Sequence, residues 1–415
     1  MPPTHDATVL APLPGLPTRH GADVTKARRV ARHLRWLIRG ANPEPTAAQW
    51  QAQAQTLLRG DEAADRLVNW MQQVGVQVGM PQFERALAQG IDAMPDASPE
   101  LRAFFATVEA TPAWVDPDLL LQGAAACHIS GLSGMRVLRN AALMAGYQAS
   151  AINRTLVLTG ALAKGAQRRV AETTKWWIDV TREGGLGRFA PGFQTTIRVR
   201  VIHAMLRKRV HAMPEWDEAA LGLPINQGDM RATYLGFSVI FLLGQRAMGV
   251  KLTDQEAHAV MHLWRYIGWL MGVEEGLLCE TELEGRVALY QNLLAQAPAD
   301  ESSRALGRAL MDEPLLRHYT VMPRLAGRLE KARQLSICRM FLGPEGMRDL
   351  GLPSYVMPWY PMLTVPFEAA YHRLNRLLPG GRQRLIRQGH QAQMDYLKVM
   401  FGHARPDITE IPAPH

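Results

Sequence analysis

Cysteine is scarce. The 415 residues hold only Cys127, Cys279 and Cys338, and no two form a CxxC pair. That excludes a disulfide framework and a cysteine-built zinc site, and predicts a reducing compartment. Aromatic residues make up 7% and charged residues 20%, against 47% hydrophobic, a balance too apolar for a disordered chain. The formal charge is +8, from 46 Lys and Arg against 38 Asp and Glu. This charge is spread along the chain; Arg28-Arg29 and Arg207-Lys208-Arg209 are its densest clusters, so no nucleic-acid partner is expected. Long apolar runs are missing too. The longest, residues 234–243, ends at Gly244-Gln245-Arg246, well short of the about 20 residues that span a bilayer. The opening MPPTHDATVLAPLPGLP has no basic n-region, apolar h-region or twin arginine, which predicts a cytoplasmic protein.

Familiar catalytic patterns are absent as well. There is no GxGxxG, GxxxxGK[ST], HExxH or GxSxG, and no Glu is followed three places later by His. His258 and His262 share a helix face in HAVMH, but two histidines with no Glu between them complete neither a metal site nor a base. A partly buried polar stripe is the expected reading there.

What is present is helix. Residues 1–21 carry five prolines and read as an extended arm. From Asp23 onward, apolar residues recur at helical spacing over 26–38, 47–58, 61–76, 101–108, 118–127, 167–180, 193–213, 229–248, 253–271, 282–296, 325–340, 366–378 and 384–400. Alternating strand patterns are scarce and no fixed repeat occurs. The prediction is one all-α domain over 22–400, with a tail over 401–415 and its strongest link at 343–361.

The segment PGFQTTIRVRVIHAMLRKRV, residues 191–210, is the most informative. Arg200, His203 and Arg207 fall at i, i+3 and i+7 and line up on one helix face, amid Val199, Val201, Ile202, Met205 and Leu206. A neutral imidazole suits haem iron, and guanidinium groups one turn away suit its propionates. A solvated Arg/His stripe has the same spacing, and the pattern alone leaves both open. Upstream, Arg169 and Thr173 are i,i+4 neighbours that could hold a polar group over an apolar pocket; an Arg-rich helix surface reads the same way. Asn226 and Gln227 precede a helix start, where capping competes with ligand contact. The basic, Trp-containing helix over 26–38, with Arg28, Arg29 and Arg32, offers peripheral contact with anionic lipid.

Five pieces in order are similar to the MpaB-like and rubber-oxygenase (latex clearing protein) catalytic-domain family: TPAWVDPDLLLQGA at 111–124, RRVAETT, RVRVIHAMLRKR, LPINQGDMRATYLGFS and HLWRYIGWLMGV, the likeness running from about Trp114 to about Val273. The resemblance implies an expanded globin-like helical fold around haem b and oxygenase chemistry with dioxygen on an apolar, unsaturated or isoprenoid-like substrate. It puts the axial iron ligand on His203, flanking arginines on Arg200 and Arg207, and pocket residues on Arg169 and Thr173. Trp264 and Trp269 read as packing, His262 and Arg265 as lesser pocket candidates. The sequence departs from rubber-cleaving members at Glu172, where they carry Lys, and has no Asp or Glu over 119–171, where they carry a pocket Glu. Glu172 is therefore the acid–base candidate. The same departures leave room for a haem-binding or haem-sensing protein without turnover.

Overall fold

The computed structural model describes residues 10, 13–160 and 165–402. Most of the predicted arm and tail lies outside these residues. Residues 13–22 are not extended: they turn along the body, with Thr18 N–H donating to Ala219 O (3.2 Å) and Arg19 ion-paired to Asp229 (2.9 Å).

Everything else is helix and connection, with no strand among the described residues. Helices α1 (Val24–Val30) and α2 (Arg32–Leu37) break at buried Ala31. Next come α3 (Ala47–Thr56), α4 (Glu62–Val74), α5 (Val76–Gln89) and α6 (Pro99–Glu109). They lead into α7 (Pro117–Ile129), α8 (Gly131–Val137), α9 (Ser150–Leu158), α10 (Ala166–Val180) and α11 (Pro191–His211). After α12 (Glu218–Leu221), the chain builds α13 (Gln227–Leu235), α14 (Phe241–Ala247), α15 (Asp254–Leu270), α16 (Glu282–Ala295) and α17 (Glu301–Asp312). It closes with α18 (Pro323–Asp349), α19 (Trp359–Leu377) and α20 (Gly381–Phe401).

Local chemistry sets many of these starts. Side-chain oxygens of Thr46, Asp61, Ser98, Asp116, Asn226, Thr253 and Thr281 accept from backbone N–H groups in the first turn, satisfying donors that a helix leaves open. Asn226 and Gln227 serve the backbone: Asn226 caps α13, and Gln227 bonds Gly60 O and Gly272 O (both 2.9 Å).

The main core is formed around α7 and α15, which cross closely because Gly123 has no side chain. A Cβ there would sit 2.3 Å from Ala259 O. A second core joins α4, α5 and α6 to α11 through Phe83, Phe104 and Phe105.

Two predicted elements are corrected. The helix expected over 229–248 contains a π-helical turn, Gly236–Ile240, between α13 and α14. The link expected from Gly343 is helical as far as Asp349: Gly343 bends the chain (φ 64°), and Pro344 restarts the helix at a position proline favours. A second π turn, Leu138–Met144, follows α8.

Candidate active site

A cavity of about 1260 Å³ lies between α10, α11, α15 and the two π turns, with α1, α2 and the second half of α18 along its edge. Ordinary small-molecule pockets hold roughly 300–1,000 Å³, so this one has room for a cofactor and a substrate together. Its lining is mainly apolar. Trp176, Phe237 and Trp264 form one wall, with Phe237 and Trp264 stacked at 4.9 Å and Trp176 edge-on to Phe237 at 5.3 Å. Sequence reading assigned Trp264 to packing and missed the other two. Four of the twenty methionines reach the cavity: Met135, Met230, Met271 and Met340.

The π turns were also missed. They pack against each other and both line the cavity. In each, a polar side chain takes a carbonyl one turn back: Asn140 Nδ2 donates to Arg136 O (2.8 Å), and Ser238 Oγ to Tyr234 O (2.9 Å). Such bonds compete with the regular ladder, and π turns concentrate at functional sites. Ser238 inside the apolar run 234–243 is a signal that could have located one of them; Asn140, beside Arg139, gives no such mark.

His203 lines the cavity with Val199 and Leu206. Its Nδ1 is buried without a hydrogen-bond partner. Burial, reinforced by the Arg207 charge and only partly countered by Asp61, lowers its pKa to about 4. The imidazole is therefore neutral at ordinary pH.

Arg200 and Arg207, expected to flank a haem, do not line the cavity beside His203. At 3.6 residues per turn they lie about 40–60° to one side of His203, while Val199 and Leu206 lie as far to the other. The arginines therefore face α4. Arg200 Nε and Nη2 donate to Asp61 Oδ2 and Oδ1 (2.6 and 2.9 Å), and Nη1 to Leu270 O (3.2 Å). Arg207 Nε donates to Asp65 (3.0 and 3.2 Å) and Nη1 to Ile225 O (2.7 Å). Burial holds Asp65 above the ordinary carboxylate pKa, against the pull of Arg207. Ile225 has φ 48°, a strained conformation for a β-branched residue; Arg207 anchors it at the cavity edge.

Helix α10 presents Arg169, Glu172, Thr173, Trp176 and Trp177 to the cavity, one face by the i, i+3/i+4, i+7 rule. Arg169 has no ion pair and the Thr173 hydroxyl no hydrogen bond among the described residues. Glu172 is half-buried and accepts from Arg168 Nε at 2.7 Å. His262 lies elsewhere: its Nε2 accepts from the Asp116 N–H (2.9 Å). Arg265 stacks on Trp114 at 4.1 Å, and Trp269 stacks on Tyr266 at 6.0 Å. No group of three His, Cys, Asp or Glu able to hold a bare metal ion occurs among the described residues.

The model of the family described as "ER-bound oxygenase mpaB/B'/Rubber oxygenase, catalytic domain" matches residues 132–376, reaching well past the motif run that ends at Val273. The "Rubber oxygenase" of Streptomyces sp. (strain K30) is 26% identical over 191 residues, 44% of this chain and 46% of that protein. The match thus spans about half the length of this curated relative. A solved structure of "Latex Clearing Protein LCP in the closed state" superposes with a TM-score of 0.67 at 19% identity, covering 84% of this chain and 93% of that one. The all-α fold is therefore shared with it.

Proposed function

The chain belongs to the ER-bound oxygenase mpaB/B' and rubber oxygenase catalytic-domain family, and from that premise we propose that it is a haem-b oxygenase acting with dioxygen on an apolar, unsaturated or isoprenoid-like substrate. The observation that carries this reading is His203, a neutral imidazole without a partner on its buried nitrogen, set in a large and mostly apolar cavity. His203 would bind the iron. Bound haem supplies redox-active iron and with it the activation of dioxygen.

The remaining steps belong to the protein. Trp176, Phe237 and Trp264 exclude water and hold the substrate chain by apolar contact. Arg169 supplies a guanidinium without a carboxylate partner for an anionic group of cofactor or substrate. The Thr173 hydroxyl donates a hydrogen bond toward a polar atom of the oxidised centre, and Glu172 holds or releases a proton at its carboxylate. Arg200 and Arg207 act behind His203, fixing α11 to α4 through Asp61 and Asp65.

One observation favours a second reading, haem binding without turnover. Glu172 already has Arg168 as a partner, and residues 119–171 supply no carboxylate at all. An absorption spectrum of the protein and of His203→Ala, each after haem titration, tests the first step. We expect a Soret band in the wild type that is lost in the variant; equal haem content in both would remove His203 as the ligand. Oxygen uptake by the haem-loaded protein with unsaturated isoprenoids then separates turnover from binding alone.

A further inference from the structure

Helix α19 carries the feature that neither the fold nor the cavity explains. Met362, Leu363, Phe367, Tyr371, Leu374 and Leu377 follow each other at helical spacing and all face outward, Phe367 76% and Leu377 82% exposed. Large apolar side chains scattered singly on a surface are ordinary; a continuous stripe along a five-turn helix marks an interaction site. Its charge is one-sided. Arg373 on α19, with Arg384 and Arg387 on the adjoining α20, is exposed and paired with no carboxylate among the described residues. The one acidic residue of α19, Glu368, is half-buried and turned to the body, where a Cβ on Gly249 would meet its own at 3.3 Å.

We propose that α19 lies in the plane of an anionic lipid surface, its apolar stripe among the acyl chains and Arg373, Arg384 and Arg387 at the headgroups. Apolar face, basic flank and absence of outward acid are what an interfacial helix needs. The same charges disfavour a second copy of the chain, because a two-fold contact across this face would set arginines against arginines. The basic helix near the N-terminus is less suited than its sequence suggests. Lys26, Arg28 and Arg29 are already neutralised by Asp349, Glu44 and Glu345, and Val30, Leu34 and Leu37 line the cavity.

Placement adds a functional sense. Gly249 (φ 85°) lets α19 press against the turn after α14, where a Cβ would come within 2.7 Å of Val365 O. On α14, Leu243, Gly244 and Ala247 line the cavity. The stripe is thus one helix removed from the site where an apolar substrate would be held.

The test is co-sedimentation of the full chain with phosphatidylcholine vesicles, with and without phosphatidylglycerol. We expect binding to the anionic vesicles only, weakened by salt. Each of Arg373→Gln, Arg384→Gln and Arg387→Gln should weaken it about fivefold. Phe367→Asp with Leu374→Asp should weaken it more than about tenfold, and Arg32→Glu should leave it nearly intact. The milder pair Leu363→Gln and Leu377→Gln, checked by thermal melting, guards against misfolding. Three results would overturn the proposal: no wild-type binding to either vesicle, binding lost with Arg32→Glu but kept in the α19 variants, or a stable dimer in ultracentrifugation that the α19 variants dissociate. None of these depends on haem or on turnover.

Discussion

Replacing Asp61 by Ala removes one carboxylate that performs two tasks. It accepts two hydrogen bonds from Arg200, at 2.6 and 2.9 Å, where both side chains are about 5% exposed. It also caps α4 through the Ala64 N–H at 3.4 Å, a long bond. Breaking a buried pair by removing one partner leaves an uncompensated charge and costs about 3–5 kcal/mol; loss of a weak cap adds about 0.5 kcal/mol. Asp61→Ala should therefore lose about 4 kcal/mol, a large share of the roughly 5–15 kcal/mol that holds a domain folded. The double variant Asp61→Leu/Arg200→Met should lose less than Asp61→Ala alone, because it buries no charge. Urea unfolding followed by circular dichroism measures both. A loss below about 1 kcal/mol in Asp61→Ala, or a double variant worse than the single, would refute the assignment of this pair as the clamp behind His203.

Two further outcomes follow from the geometry. Burial lowers His20, His203 and His372 from 6.5 to about 4, so between those values the unfolded chain binds protons the folded one does not. The stability these groups permit is complete above pH 6.5 and falls as the pH drops toward 4. Guanidinium unfolding at pH 7.5 and pH 5 should differ by roughly 2 kcal/mol per histidine, less in His372→Asn, and equal midpoints would contradict this. Gly123→Ala should cost about 1–3 kcal/mol by forcing α7 and α15 apart, since its Cβ would meet Ala259 O at 2.3 Å; Gly276→Ala, with nothing within 4 Å, serves as the control for melting.

Helices were legible where 3.6-residue apolar spacing and capping residues act locally: α7, α10, α11, α15 and α20 sit close to their predicted ranges, whereas α8, α9, α17 and all of α5 beyond Val76 fall outside any predicted range. The direction a side chain faces is not local. Arg200, His203 and Arg207 share a stripe on paper, yet Asp61 and Asp65, some 140 positions earlier, turn two of the three away from the cavity. The basic helix over 26–38 reads as a free surface because Glu44, Glu345 and Asp349 are distant in sequence. Trp176 lies outside the motif pieces and Phe237 is unmarked within LPINQGDMRATYLGFS; only their convergence on Trp264 gives them a role. The π turns depend on where single side chains of Asn140 and Ser238 bond, a contest too fine for periodicity to resolve.

Those two turns have a consequence for how this scaffold can vary. Each closes its hydrogen bonds to the fifth residue instead of the fourth, so each accommodates one residue more than a regular α-helix over the same rise. Deleting one residue within Leu138–Met144 or Gly236–Ile240 would restore the α register locally and re-aim the side chains on the cavity wall. The facing helices would be left in place. The width and lining of the chamber are thus adjustable by changes of single-residue length, which re-aim several wall side chains at once where a point substitution alters one.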